Sequence, residues 1–257
     1  VGSFVPAMET IPYLTREPDG FSYTMDPQDI LYGLGENIRG INKRGWHYVT
    51  DNTDESHHGE NRLSYYGAHN FLLIDGGAGR SIFGVFVDFP GKVFYDIGYT
   101  RHDRLTFRTE EPDYDLYILT GDSPNAVCTE FRKLIGHSYI PPKWAFGFAQ
   151  SRWGYKTEED VREVARQYKE HDLPLDMICM DIEYMQDYAD FTVNKERFPD
   201  LTKLSADLKA QGIRLVPIID AGVRMDPEDP TCTEGLEKGY FCTKADGTPF
   251  VAAVWPG

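Results

Sequence analysis

Around Pro141-Pro142 the hydrophobic period of this chain changes, and that change limits the possible folds more than any other feature. Upstream, from about residue 21 to residue 120, short apolar runs are broken by turn residues. Phe71-Leu-Leu-Ile74 stops at Gly76-Gly77, and Ser81–Asp88 alternates until Pro90-Gly91. Val93–Ile97, Arg104–Arg108 and Asp115–Leu119 occur at intervals of roughly ten residues, the spacing of an antiparallel sandwich. Pro124 to Ile135 then reads as one helix, with Val127, Phe131 and Leu134 on a common face. Residues 1–140 are therefore expected to form an N-terminal β-sandwich domain.

Downstream the pattern alternates strand and helix. Trp144-Ala-Phe-Gly-Phe-Ala149 is a continuous apolar run, expected as a buried strand ending at Gln150-Ser-Arg152. Thr157-Glu-Glu-Asp160 supplies an N-cap with acids in the first turn, and Val161, Val164, Ala165 and Tyr168 come next at helical spacing. Met177-Ile-Cys-Met180 is a second strand, ending in Asp181. Leu201, Leu204 and Leu208 mark a helix closed by Gly212. Ile213 to Ile219 is a third strand, ending in Asp220, with Pro217 breaking its regularity because it offers no ladder donor. Strands apolar on both faces with helical crossovers make a parallel sheet. Each strand delivers polar groups at its C-terminal end: Arg152, Asp181 and Asp220. That is where a (β/α)8 TIM barrel keeps its active site. From pattern alone a doubly wound open sheet remains open, but Gly33-Leu-Gly35 has no third glycine at the fingerprint spacing and precedes no helix.

Charge narrows the partners. A net charge of −15, from 41 acids against 26 bases, would be repelled by nucleic acid and by anionic membranes, so neither is expected as a partner. No apolar run approaches the ~20 residues of a membrane helix. The first residues, Val-Gly-Ser-Phe-Val-Pro, carry neither a signal-peptide pattern nor a starting Met, which suggests a cropped or processed N-terminus. Cys128, Cys179, Cys232 and Cys242 are irregularly spaced without a Cys-x-x-Cys pair, so no zinc site is implied and free thiols in a cytoplasmic setting are expected.

Tyr32-Gly-Leu-Gly-Glu36, Tyr139-Ile-Pro-Pro-Lys143, Gln150-Ser-Arg-Trp-Gly-Tyr155, Met180-Asp-Ile-Glu-Tyr-Met185, Phe198-Pro-Asp200 and Val254-Trp-Pro-Gly257 occur in this order. The series resembles glycoside hydrolase family 31, most nearly its bacterial α-glucosidases, over nearly the whole chain. The resemblance implies a β-sandwich leading into a (β/α)8 catalytic barrel, here its first units over residues 141–257. It also implies retaining hydrolysis of terminal α-linked glucose from oligosaccharides, with no cofactor and with two Asp carboxyls as nucleophile and acid/base. The family's nucleophile lies in a Trp-x-Asp-Met-Asn-Glu stretch, and this sequence contains none. The chain is thus expected to hold sugar-binding residues but no catalytic pair, and to be inactive alone.

By the same resemblance, Asp181 is the carboxylate that holds two hydroxyls of the terminal (−1) glucose; read without it, it could equally cap a loop. Trp255 matches a pocket-wall tryptophan whose flat face suits a pyranose. Trp153 matches an aromatic on the +1 side. Asp54, in Thr50-Asp-Asn-Thr-Asp-Glu55, matches a sandwich-loop Asp that contacts the +1 sugar, although a solvated acidic turn explains it too. Asp220 either braces the pocket or touches the −1 sugar. Ile182 and Glu183 come after Asp181 where the related α-xylosidases carry Cys and Phe, which favours glucose over xylose. His57-His58 with Asp54 and Glu60 could suggest a metal cluster, but adjacent side chains in an extended segment point opposite ways, so no metal is expected.

The rival readings are an α-xylosidase on the same scaffold and a non-catalytic glycan-binding protein. Stopping after three barrel strands leaves strand edges unpaired, so the chain is expected to self-associate, to leave its C-terminal part disordered, or to be ordered by a partner.

Overall fold

A computed structural model describes residues 14–253, apart from 18, 19, 78 and 221. The chain divides into two compact units, Val1–Ser138 and Tyr139–Gly257.

The first unit is built from two antiparallel sheets. A five-stranded sheet runs in the order β1-β2-β8-β7-β4 and a four-stranded sheet in the order β3-β5-β6-β9. The strands are β1 (Leu14–Glu17), β2 (Gly20–Thr24), β3 (Ile30–Gly35), β4 (Trp46–Thr50), β5 (Ala68–Asp75), β6 (Ile82–Asp88), β7 (Val93–Ile97), β8 (Arg104–Thr109) and β9 (Asp115–Gly121). Alternation sorts the side chains: Val93, Tyr95 and Ile97 are buried while Phe94 and Asp96 turn outward. Phe21, Tyr95, Leu105 and Phe107 of one sheet share a core with Leu31, Ile74, Phe83 and Val85 of the other. The Gly33-Leu-Gly35 pair sits in a bulge of β3. A side chain on Gly33 would lie 2.2 Å from the Phe71 carbonyl oxygen, so close strand approach explains that glycine.

Helix α1 (Pro124–Ile135) begins at Ser123, whose Oγ accepts from Ala126 N at 3.2 Å. It packs on β9, β6 and β5. Val127 is fully buried, and the Phe131 ring stacks on Phe71 at 4.1 Å between centroids. Gly84 makes room for this: a Cβ there would meet the Phe71 ring at 2.7 Å and Val127 Cγ1 at 2.9 Å. Leu134, expected on the same face, is instead 40% exposed, because the last turn of α1 is not covered by the sheet.

In the second unit β10 (Ala149–Arg152), β11 (Met177–Met180) and β12 (Arg214–Pro217) form a parallel sheet in that order. Helices α2 (Glu158–Glu170) and α3 (Leu201–Ala210) are the crossovers, and α4 (Pro230–Glu237) comes after the third strand. Thr157 and Asp160 close a reciprocal capping box on α2. Val161 and Ala165 of α2 and Leu204 and Leu208 of α3 pack with Ile178 and Met180 of β11.

Two expected strands are corrected. Lys143–Phe146 is a turn of 3-10 helix, and the first strand starts only at Ala149. Pairing sets this register: Met177 N donates to Phe148 O at 3.2 Å, and Phe148 N donates to the Asp176 carboxylate at 3.1 Å. Gln150 and Arg152 lie within the strand rather than beyond it, and Gln150 Oε1 takes a 2.7 Å hydrogen bond from the Tyr168 hydroxyl. The third strand is likewise shorter than Ile213–Ile219. Its ladder covers Arg214–Pro217, with Pro217 as its last paired residue, and leaves Ile219 58% exposed.

Among the described residues no helix is long and apolar enough to cross a membrane. All four cysteines are unpaired.

Candidate functional site

Register brings the strand ends level. Arg152 pairs with Met180, and Met180 with Pro217, so Trp153, Asp181 and Ile218 leave the sheet side by side. The opposite end of the sheet is the Asp176 end, where Arg214 N donates to Asp176 O at 2.8 Å. The side chains with binding chemistry therefore gather at the C-terminal ends of parallel strands.

Asp181 is half-buried and starts the 3-10 turn Ile182–Tyr184. Its Oδ1 accepts from Ile182 N at 2.8 Å, while Oδ2 has no protein hydrogen bond among the described residues. One oxygen thus fixes the carboxylate and the other stays available as an acceptor. Ile182 packs its side chain against the core of this unit. Trp153 is 62% exposed, an indole at the rim with its faces largely uncovered.

Asp220 lies further along the loop after β12 and is half-buried. Its backbone N donates to Asp190 Oδ1 at 3.2 Å. Asp190 is 4% exposed, and burial, with the Asp220 charge adding to it, raises its pKa. Tyr184 joins this group: its hydroxyl donates to Ile218 O at 2.7 Å. Burial and then the Asp190 and Asp220 carboxylates push that phenol upward. Asp181 and Asp220 are thus held by successive turns of one rim, Asp181 through its own cap and Asp220 through Asp190.

One member of this rim had no advance signal, and a second, Glu183, was read only as favouring glucose over xylose and not as a buried carboxylate. Asp190 reads in the sequence as an ordinary loop acid. Glu183 is only 3% exposed, and neither of its carboxylate oxygens has a hydrogen-bond partner among the described residues. A buried carboxylate without a donor is costly, which sets this residue apart from a packing position.

In the first unit Asp54 stands exposed in the long loop joining β4 to β5. His57 and His58 are exposed in the same loop, with His57 Nδ1 3.0 Å from Ser56 Oγ and the His58 ring edge-on to Tyr65. Trp255 lies outside the described residues. A concavity of about 620 Å³ on the five-stranded sheet, lined by His47, Phe94, Asp96 and Arg108 among others, contains none of the expected site residues.

Comparison with known proteins agrees with this geometry. Residues 138–257 match the family profile described as the glycosyl hydrolases family 31 TIM-barrel domain. Residues 11–96 match that of the glycosyl hydrolase 31 N-terminal galactose mutarotase-like domain. The barrel description decides between the two α/β architectures left open by the strand pattern. Alpha-glucosidase 2 of Bacillus thermoamyloliquefaciens is 40% identical over 235 residues, covering 91% of this chain and 29% of the relative. Human intestinal sucrase-isomaltase is 32% identical over 240 residues, covering 90% of this chain and 13% of the relative. The chain thus spans less than a third of the length of these relatives. Among solved structures, a dextranase of Flavobacterium johnsoniae complexed with isomaltotriose superposes with a TM-score of 0.82 at 22% identity, covering 95% of this chain and 30% of that one. A cycloalternan-degrading enzyme of Trueperella pyogenes with isomaltose gives 0.78 at 18% identity, covering 92% and 38%. At these identities the superpositions speak for the fold.

Proposed function

Because the chain belongs to glycoside hydrolase family 31, we propose that it is part of a retaining, exo-acting α-glucosidase that removes terminal α-linked glucose from oligosaccharides. The observation that carries this reading is Asp181, fixed through Oδ1 at a strand end with Oδ2 uncommitted among the described residues, beside an exposed Trp153.

A glucose unit offers vicinal hydroxyls as donors and an apolar C–H face. A carboxylate accepting such hydroxyls makes charge-assisted hydrogen bonds, roughly twice as strong as neutral ones. An indole face covers the apolar side of the ring. Asp181 grips the −1 glucose, Ile182 supports it from the core, and Asp220 braces the same end of the pocket. Trp153 serves the +1 sugar and Trp255 the pocket wall, and the resemblance makes Asp54 a further candidate for sugar contact. Retention requires two further carboxyl groups about 5–5.5 Å apart, one attacking the anomeric carbon and one protonating the leaving oxygen. The family's nucleophile stretch is absent from these 257 residues. The chain therefore supplies substrate grip and the full-length enzyme supplies the chemistry. Its three-stranded sheet, exposed along β10 and β12, is completed by the rest of the barrel or by a second copy.

The test is hydrolysis of aryl α-glucoside and aryl α-xyloside by the full-length protein, with the product anomer followed by NMR. Release of α-glucose first, with little action on the xyloside, is expected. Release of β-glucose first would remove the retaining mechanism, and preference for xyloside would remove the glucose assignment.

A further inference from the structure

Two backbone groups of a single residue, Ile218, take hold of the chain on both sides of Asp181. Ile218 N donates to Met180 O at 3.1 Å, immediately before Asp181. Ile218 O accepts from the Tyr184 hydroxyl at 2.7 Å, three residues after Asp181. The stretch Met180–Tyr184 is thus fastened at both ends to the residue just past β12, with Asp181 between the two fastenings.

The other hydrogen bonds of this stretch act differently. The cap from Ile182 N to Asp181 Oδ1 at 2.8 Å orients the carboxylate against its own turn. Met185 N donates to Ile182 O at 3.0 Å within the turn, and Asn194 N donates to Tyr184 O at 2.8 Å from the loop that comes after it. None of these three joins the turn to β12. A 3-10 turn as short as Ile182–Tyr184 has poor hydrogen-bond geometry and little rigidity of its own. Among the described residues, the hydrogen bond that fixes the turn against the end of β12 is the one from the Tyr184 hydroxyl. Tyr184 is 5% exposed and shares a core with Met180, Met185 and Phe198. A phenylalanine would fill that space equally well, so packing explains the ring but not the hydroxyl.

We infer that Tyr184 is a positioning residue whose hydroxyl, through Ile218 O, holds the turn that aims Asp181 Oδ2 at the hydroxyls of the substrate. The inference rests on the proposed role of Asp181 as the grip on the −1 glucose. A carboxylate fixed before substrate arrives forms its hydrogen bonds without a further ordering cost. Without the Tyr184 hydroxyl, Asp181 keeps its cap, but the turn and the carboxylate drift together and the grip weakens. Because the effect passes through Asp181, it disappears once Asp181 has no carboxylate.

The experiment is a double-mutant cycle in the full-length enzyme, with Tyr184→Phe, Asp181→Ala and the two combined. Each is assayed for kcat/KM on an aryl α-glucoside and for thermal denaturation. Tyr184→Phe alone is expected to lower kcat/KM roughly tenfold, the size of one lost hydrogen bond. Added to Asp181→Ala, it should lower kcat/KM by less than about twofold. Tyr168→Phe is the control, since it removes a bond of the same length, 2.7 Å to Gln150 Oε1, from the same unit. Its effect should be the same with and without Asp181→Ala. Equal factors for Tyr184→Phe in both backgrounds, parental kcat/KM in the single variant, or loss of its folded state would each make Tyr184 structural and overturn the inference. Dependence of Tyr168→Phe on Asp181 would overturn it as well, because the coupling would then belong to the whole unit. Parental kinetics in Asp181→Ala would remove the role of Asp181 and this inference together.

Discussion

Replacing Asp181 by Asn and by Ala in the full-length enzyme separates what this residue does for the fold from what it does for the substrate. Its Oδ1 accepts from Ile182 N at 2.8 Å and starts a 3-10 turn. Asn keeps a carbonyl oxygen at that position, so the cap survives; Ala removes it, at about 1 kcal/mol. The other oxygen has no protein partner among the described residues, so its loss costs the fold nothing further. Toward substrate the balance is different. Two hydroxyls held by a carboxylate contribute roughly 1.5–3 kcal/mol each. Together they amount to about 3–6 kcal/mol, or 10²- to 10⁴-fold in kcat/KM. Asn should sit near the lower end because a neutral acceptor remains, and Ala near the upper end. Steady-state kinetics on an aryl α-glucoside, with thermal denaturation of the same preparations, measures both quantities. An Asn variant within about threefold of the parent, or a large drop in melting temperature with ordinary kinetics, would refute the assignment and make Asp181 a capping residue.

Three further outcomes are expected. The isolated 257-residue chain should not turn over an aryl α-glucoside, because the nucleophile stretch is absent; turnover by highly purified chain would contradict the reading. Gly84→Ala should destabilise the sandwich by about 1–3 kcal/mol through overpacking against Phe71 and Val127; an unchanged urea midpoint would show that α1 can shift without cost. Asp190 has a folded pKa above its unfolded value, so its ionised form is the one the fold disfavours. Its contribution is complete below the unfolded pKa and is lost as pH rises through the folded one. Asp190→Asn, which keeps the acceptor for Asp220 N, should therefore gain stability relative to the parent as pH rises above the ordinary carboxylate range of about 4; denaturation curves with a pH-independent difference would refute this.

Much of the barrel unit was legible because its signals are local. Thr157 and Asp160 cap α2, and Met177–Met180 is a strand that ends where the sequence turns acidic. The first strand was displaced because apolarity alone does not set register. Trp144–Ala149 is the more apolar run, yet pairing with β11 and the Asp176 carboxylate select Ala149–Arg152. Leu134 failed for a related reason, since helical spacing says which residues share a face but not how far the underlying sheet extends. At the site, Asp181 and Trp153 were readable as strand-end residues and Glu183 as a neighbour of Asp181, whereas the burial of Glu183 and Asp190 was not. Burial of an acid depends on neighbours distant in sequence, and a single chain carries no local mark of it.

The level ending of β10, β11 and β12 bears on how such a protein can change. The ladder closes at Arg152, Met180 and Pro217, and beyond it one bond, from Ile218 N to Met180 O at 3.1 Å, continues the pairing. The loop after β10 lies outside the pairing that builds the sheet, while those after β11 and β12 are tied to each other through Tyr184 and Asp190. Residues can be inserted after Trp153 without shifting any strand by a register step, which would turn its side chains to the opposite face. Diversification of substrate preference and preservation of the scaffold are thus assigned to separate stretches of chain. Exchanging whole rim loops between relatives should be a gentler route to new specificity than substituting within the strands.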